Sequence, residues 1–232
     1  MTVDMSSSSD LQLSMSGQIC FASLNLFEGK VYIASMNMRG EWASVPDEIK
    51  DNHIKINVTS AQGKSNKNRL AFSPMTEIVN GYKGYWNFES YWQAGKVFED
   101  IPEATVKNYW KQLKEPKRRY PKSKDKKVLY AVFEGNSEKM DYITSRKKVY
   151  VPEYYELIKN RNMTSFWKKM LSDGHNLIIY DFDGPRTDDG GVTCLELTKE
   201  LLINKINSTN FPFGHGYVVA ATIAGITPQE YI

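Results

Sequence analysis

The hydrophobic and polar positions of this chain follow two periods, and the places where one gives way to the other mark its elements. "HIKINVTS" (53–60) alternates apolar and polar residues, the two-residue period of a half-buried strand. "QICFASLNLFEGKVYIASMNMRG" reads as two strand-like runs around Glu28-Gly29-Lys30, a hairpin pattern. "VLYAVFEG" (128–135) and "HNLIIYDFDGPR" read as buried strands, the second delivering a polar loop at its C-terminal end.

Helical spacing governs the rest. "NFESYWQAGKVFED" (87–100) is expected to be a helix ending near Asp100, because Pro102 disfavours helical geometry at the residue before it. "EATVKNYWKQLK" forms a second helix that ends before Pro116. "YVPEYYELIKNRNMTSFWKKMLSDG" carries one long helical pattern with Leu157, Phe166, Trp167 and Met170 as apolar anchors. "CLELTKELLINKIN" is amphipathic helix, and "FPFGHGYVVAATIAG" is a Gly-rich turn leading into a final apolar helix. Residues 1–16 are Ser-rich and expected to be disordered, which leaves 17–232 as one domain. Helices and strands intermix without βαβ regularity or repeats, so the expected class is α+β, with mixed helices around a small sheet.

Composition narrows the possibilities. With 232 residues, 41% hydrophobic and 12% aromatic, the chain can bury a sizeable core. Cys20 and Cys194 stand far apart in apolar surroundings and outside any C-x-x-C pair, so buried free thiols in a reducing compartment are expected. No apolar run approaches the ~18 residues of a membrane span, and the N-terminus lacks the pattern of a signal peptide. A soluble cytoplasmic protein follows as the expectation. Phosphate-loop, zinc-protease and nucleophile-elbow motifs are missing, which removes the common NTPase, metalloprotease and α/β-hydrolase readings.

Net charge is only +3, but "KNYWKQLKEPKRRYPKSKDKK" (107–127) holds ten Lys/Arg against two acids, a local +8 that leaves the remainder at −5. Such density suits phosphate, with Arg118 and Arg119 beside Tyr120 placed to pair with an anion and stack on a base; a solvated linker is the plainer reading. Glu89, Gln93 and Lys96 fall at i, i+4 and i+7, so one helical face would stack an acid, an amide and an amine. That face is either a solvated charge ladder or the wall of a site in which an ionised carboxylate activates water. Asp181 and Asp183 form a D-x-D at a strand exit, open to metal binding in a sugar transferase or to an ordinary turn. His215 lies between two glycines before an apolar helix, as a phosphate-facing acid or a local cap. Arg146 stands just before an expected strand, with Tyr154 and Tyr155 beyond it, which fits nucleotide recognition or surface packing.

One segment adds a resemblance. Glu89-Ser90-Tyr91-Trp92-Gln93-Ala94-Gly95-Lys96 is similar to the signature helix Glu-His-x-x-Gln-Ala-x-Lys of the NADAR superfamily, and "LAFSPM" sits where that superfamily has its "FSNF"-like stretch. The wider run of segments from about residue 54 to 226 resembles a poorly characterised viral and phage branch of such domains. Ser90 replaces the family histidine, and "SRKKVYVPEYY" occupies about the place of the Trp-Asp-x-x-Arg run of cellular members.

The resemblance implies a NADAR-like domain that cleaves an N-glycosidic bond without metal or cofactor. Its substrates would be a phosphate-bearing nucleotide, an ADP-ribose conjugate or ADP-ribosylated nucleic acid. It implies Glu89, Lys96 and Asp183 as catalytic residues. Trp92, Gln93, Arg118, Arg119, Arg146, Tyr155, Asp181 and His215 would bind substrate, with Trp92 or Tyr155 stacking on the base. A non-catalytic nucleotide or nucleic-acid binding module of the same fold and a metal-dependent D-x-D transferase stand as alternatives.

Overall fold

A computed structural model describes residues 28–232. The first of the two hairpin runs, Cys20 and the Ser-rich terminus lie outside the described residues. The remainder is a single mixed α+β domain, as its intermixed periodicities imply. Its main sheet has the order β2-β5-β1-β6, from β1 (Val31–Ser35), β2 (His53–Asn57), β5 (Asn176–Asp181) and β6 (Cys194–Glu196). β5 runs parallel to both β1 and β2, whereas β6 is antiparallel to β1.

β1 is buried along its whole length and β5 for all but its first residue, as strands covered on both faces must be. Their side chains divide by parity. Val31, Ile33, Leu177 and Ile179 enter the large core, while Tyr32, Ala34, Ile178 and Tyr180 enter a smaller one with Met36, Ala43 and Ile49. The large core takes the helices. α8 (His215–Ile223) packs on β1 and β5 and is buried from Gly216 to Ile223. A helix apolar all round has to be central. α5 (Val151–Ile158) and α6 (Asn162–Ser172) pack against it, and α7 (Lys199–Asn207) supplies buried Leu202 and Ile206. The remaining helices are α1 (Lys67–Phe72), α2 (Phe88–Ala94), α3 (Glu103–Gln112) and α4 (Tyr142–Ser145). A second, two-stranded sheet pairs β3 (Lys96–Phe98) with β4 (Val128–Ala131) in antiparallel fashion.

Five segments differ from their sequence-based expectation. α2 stops at Ala94 rather than near Asp100, because Lys96↔Ala131 and Val97↔Tyr130 pair across the small sheet. Gly95 makes the switch possible: a Cβ there would lie 2.4 Å from the Phe133 ring. The "VLYAVFEG" strand ends at Ala131, with Val128 and Leu129 exposed rather than buried. Arg146–Tyr150 is not the approach to a strand but a π-helical turn that continues α4 into α5. The long helix expected over 150–174 is two, broken after Ile158, and Phe166 faces solvent. Cys194–Glu196 pairs as β6 before the helix begins at Lys199.

Candidate functional site

Asn87 starts α2 by accepting a hydrogen bond from the Ser90 amide (2.7 Å), while its own side-chain amide donates to the Met75 carbonyl (2.9 Å). This cap aims the first turn, and with it Glu89, at a cavity of about 280 Å³. Glu89, Trp92, Gln93, Lys96, Arg118, Arg119, Arg146, Asp181, Asp183 and His215 all line that cavity. Ten of the eleven sequence-predicted site residues therefore meet in one place, although they come from separate segments of the chain. Tyr155 is the exception: it packs half-buried against the core, with the Lys159 ammonium 5.6 Å from its ring. Tyr120, expected to stack on a base, is buried between Phe98 and Tyr109.

The acid, amide and amine still converge, by a different route. Gln93 Nε2 donates to Glu89 Oε1 at 2.7 Å, the i,i+4 contact of a helix. Lys96 reaches the cavity from β3 instead of from a further helical turn. Burial pushes the Glu89 carboxyl above its usual range; the Gln93 hydrogen bond, Lys96 and His215 pull it down, and Asp183 adds to the rise. Burial pushes the Lys96 ammonium below its usual value, partly offset by Glu89. A half-buried acid and a half-buried amine thus each hold their charge less readily than in water, which brings their proton affinities closer together.

The two aspartates of the D-x-D have different environments. Asp181, at the end of β5, is 1% exposed. Its Oδ2 accepts from the Gly216 amide at 2.8 Å and lies 3.2 Å from His215 Nδ1, while His215 Nε2 lies 3.1 Å from the Val58 carbonyl oxygen. Asp181 therefore caps α8, and His215 bridges β5 to the end of β2 with an oxygen facing each ring nitrogen. Both glycines flanking His215 are required: a Cβ on Gly214 would lie 2.4 Å from Asp181 Oδ2, and one on Gly216 2.6 Å from Asp181 Cβ. Asp183, two residues on, is exposed at the cavity. Partial loss of water and the neighbouring Asp181 raise its carboxyl, against His215, Arg118 and Arg186. Among the described residues no group of three or more His, Cys, Asp or Glu side chains is placed to hold a metal ion.

Arg118 and Arg119 are exposed at the same cavity, and the Arg118 guanidinium sits 4.8 Å from the Phe182 ring centroid. The rest of the basic stretch carries less free charge than its composition suggests. Lys107, Lys111, Lys117 and Lys126 are ion-paired with Glu103, Glu134, Glu115 and Asp100. Trp92 lines the cavity with one face stacked on Phe133 (5.6 Å, 18°) and Tyr150 at its edge. Ser90 is 1% exposed and is not among the lining residues.

Sequence reasoning missed Ser73, Tyr142, Tyr150 and Phe213, which also line the cavity. Ser73, Tyr150 and Phe213 stand in "LAFSPM", "SRKKVYVPEYY" and "FPFGHGY", segments with recognisable patterns; a tally of charged residues passes over them because their contribution is shape. The cavity opens where β2 and β5 end, at Thr59-Ser60 and Asp181–Asp183, the carboxyl edge at which parallel strands commonly present ligand sites. No protein-family model, curated protein or solved structure matches this chain.

Proposed function

We propose that the cavity hydrolyses an N-glycosidic bond in a phosphate-bearing nucleotide or ADP-ribose conjugate. The observation that carries this reading is the Glu89 carboxyl, oriented by the Gln93 amide and raised by burial, in one cavity with a second acid, Asp183, and the amine of Lys96. In its ionised form Glu89 accepts a proton from water as the oxygen attacks the anomeric carbon. The carbon–nitrogen bond breaks as that bond forms, and its electron pair leaves on the base nitrogen. Asp183 offers negative charge to the oxocarbenium-like transition state. The departing nitrogen takes a proton from Lys96, whose burial makes the ammonium a readier donor, and Glu89 returns the proton to the amine. Arg118 and Arg119, exposed at the cavity, meet the anionic portion of the ligand.

The resemblance of the Glu89 helix to the NADAR signature supports the same chemistry. The buried side chain of Ser90 means that its substitution for the family histidine takes no group from the cavity wall. Asp181 is engaged by Gly216 and His215, which argues for a capping role over the D-x-D metal ligation of a transferase.

The test is incubation with a panel of nucleotides, ADP-ribose conjugates and ADP-ribosylated oligonucleotides, with chromatography of released base and sugar. Glu89→Gln is expected to abolish release with the fold intact. Wild-type turnover by that variant would refute the assignment. Tight binding with no product from the wild type would leave a binding module.

A further inference from the structure

Arg146 is a side chain that the reaction above does not use. It is 1% exposed, projects from the π-helical turn and lines the cavity. Its Nη1 donates to the carbonyls of Ile206 and Ser208 at 3.0 Å each and, more weakly, to that of Lys205 at 3.4 Å, at the C-terminal end of α7. The Tyr142 ring centroid lies 4.2 Å from its guanidinium carbon and that of Phe213 5.8 Å. Yet Nε and Nη2, both buried, have no hydrogen-bond partner among the described residues, and no carboxylate among them forms an ion pair with it. Those two nitrogens make up one edge of the guanidinium, whose parallel N–H bonds match two oxygens of a single anion. A buried charge is ordinarily paired, and a buried donor ordinarily satisfied. Here the satisfied end anchors the group and leaves the free edge fixed in direction, so little ordering remains for a ligand to impose.

We propose that the Nε–Nη2 edge of Arg146, flanked by Tyr142 and Phe213, is the seat of a terminal phosphoryl group of the ligand. Charge favours an anion, and the number of acceptor oxygens favours phosphoryl over carboxylate. The cavity lining sets four basic side chains, Lys96, Arg118, Arg119 and Arg146, against the three carboxyls of Glu89, Asp181 and Asp183, and a phosphoryl group keeps a third oxygen for another of these cations after two have met the Arg146 edge, whereas a carboxylate keeps none. The inference deepens the reading of the cavity as a nucleotide site but does not require that the site cleave anything. It also divides the labour of the arginines: Arg146 holds the terminal phosphoryl inside, whereas Arg118 and Arg119, both exposed, meet what extends outward. A cavity of about 280 Å³ accommodates a ribose phosphate with a base, and anything larger must leave by that exposed side.

The test titrates the full chain, labelled with nitrogen-15, with inorganic phosphate, ribose 5-phosphate, ribose and acetate. It follows the arginine Nε–H resonances, assigned by through-bond spectra, together with calorimetric affinity. Phosphate and ribose 5-phosphate are expected to move the Arg146 Nε–H proton downfield, while ribose and acetate leave it in place. Arg146→Lys, which keeps the charge but not the paired donors, is expected to weaken ribose 5-phosphate binding on the order of tenfold or more. Lys122→Ala combined with Lys124→Ala is expected to leave it unchanged. Ribose 5-phosphate binding with a still Nε–H, unchanged affinity in Arg146→Lys, an equal response to acetate, or no binding of either phosphate would each overturn the proposal. If Arg146→Lys fails to fold, the wild-type resonance decides alone. Glu89→Gln separates this inference from the proposed reaction: its Arg146 response to phosphate is expected to persist when turnover is lost. Turnover in a wild type whose Nε–H never moves would remove the phosphoryl seat and leave the glycosidase.

Discussion

Glu89→Gln should make the protein more stable while it removes the activity. Burial is the largest influence on the Glu89 carboxyl, and it holds the group above its usual range even after the Gln93 amide and Lys96 have pulled it down. A raised folded-state value means that the native state binds more protons than the unfolded one between the unfolded value, about 4.3, and the folded value. Stability contributed by Glu89 is therefore fully present below about pH 4.3, and it is lost as pH rises through the folded value. Gln has the same shape, accepts the same bond from Gln93 and never ionises. The attraction of Lys96 is already included in the position of the Glu89 carboxyl, so its loss does not reverse the sign. The expected gain at pH 7 is about 1 kcal/mol, typical of relieving a functional residue held against its preference. That corresponds to a Tm increase of about 2–4 °C for a chain of this size. Urea denaturation of both proteins from pH 4 to pH 8 measures it: the curves should meet at the acid end and separate upward. A Glu89→Gln variant less stable than wild type at pH 7 would show the carboxylate to be a stabilising ion-pair partner, and the reasoning would fail.

Other expectations concern the scaffold around the site. Asp181→Ala removes both the α8 cap and the partner of His215 and should cost about 2–3 kcal/mol in urea unfolding; Asp181→Asn, which can still accept from Gly216, should cost less than about 1 kcal/mol. Equal losses in the two variants would remove the capping role. Gly216→Ala should destabilise by about 1–3 kcal/mol, because its Cβ would meet Asp181 Cβ at 2.6 Å; an unchanged midpoint would contradict that contact. Burial pushes the Cys194 thiol up to about 12. It is half-buried rather than fully buried as expected, and in a Cys20→Ser background at pH 8 it should react with a disulfide reagent on the order of a thousandfold more slowly when native than when denatured; comparable rates would refute the raised thiol.

Much of the fold was legible because it is encoded locally. The alternation in "HIKINVTS", the apolar run before Asp181 and the uniformly apolar final helix each became the element their period implies. What was not legible depends on distant pairing. Nothing between Glu89 and Asp100 announces that Lys96–Phe98 will leave the helix, because its partner, Val128–Ala131, lies some thirty residues on. Arg146 stands out in the sequence as a candidate, but its surroundings do not, since the π-helical turn and the carbonyls at the end of α7 come from tertiary packing. The basic stretch shows the same limit in reverse. Its composition counts ten cations, and the fold pairs four of them with acids: Asp100 and Glu103 before the stretch, Glu115 within it and Glu134 after β4.

The D-x-D shows why proximity in sequence is a poor guide to role. Asp181 and Asp183 are two residues apart, so both leave β5 on the same side of the strand, and sequence alone treats them as equivalent. The fold separates them by what α8 requires. A helix buried along nearly its whole length cannot leave its first amide donors to solvent, and Asp181 supplies the acceptor for Gly216. That contact needs glycine at 214 and 216, which explains the "GHG" spelling around His215 without reference to a ligand. It also commits the Asp181 carboxylate and leaves Asp183 as the member of the pair exposed to the cavity. The reacting groups of the proposed site are thus Glu89, Lys96 and Asp183, while Asp181 and His215 hold the floor on which they stand.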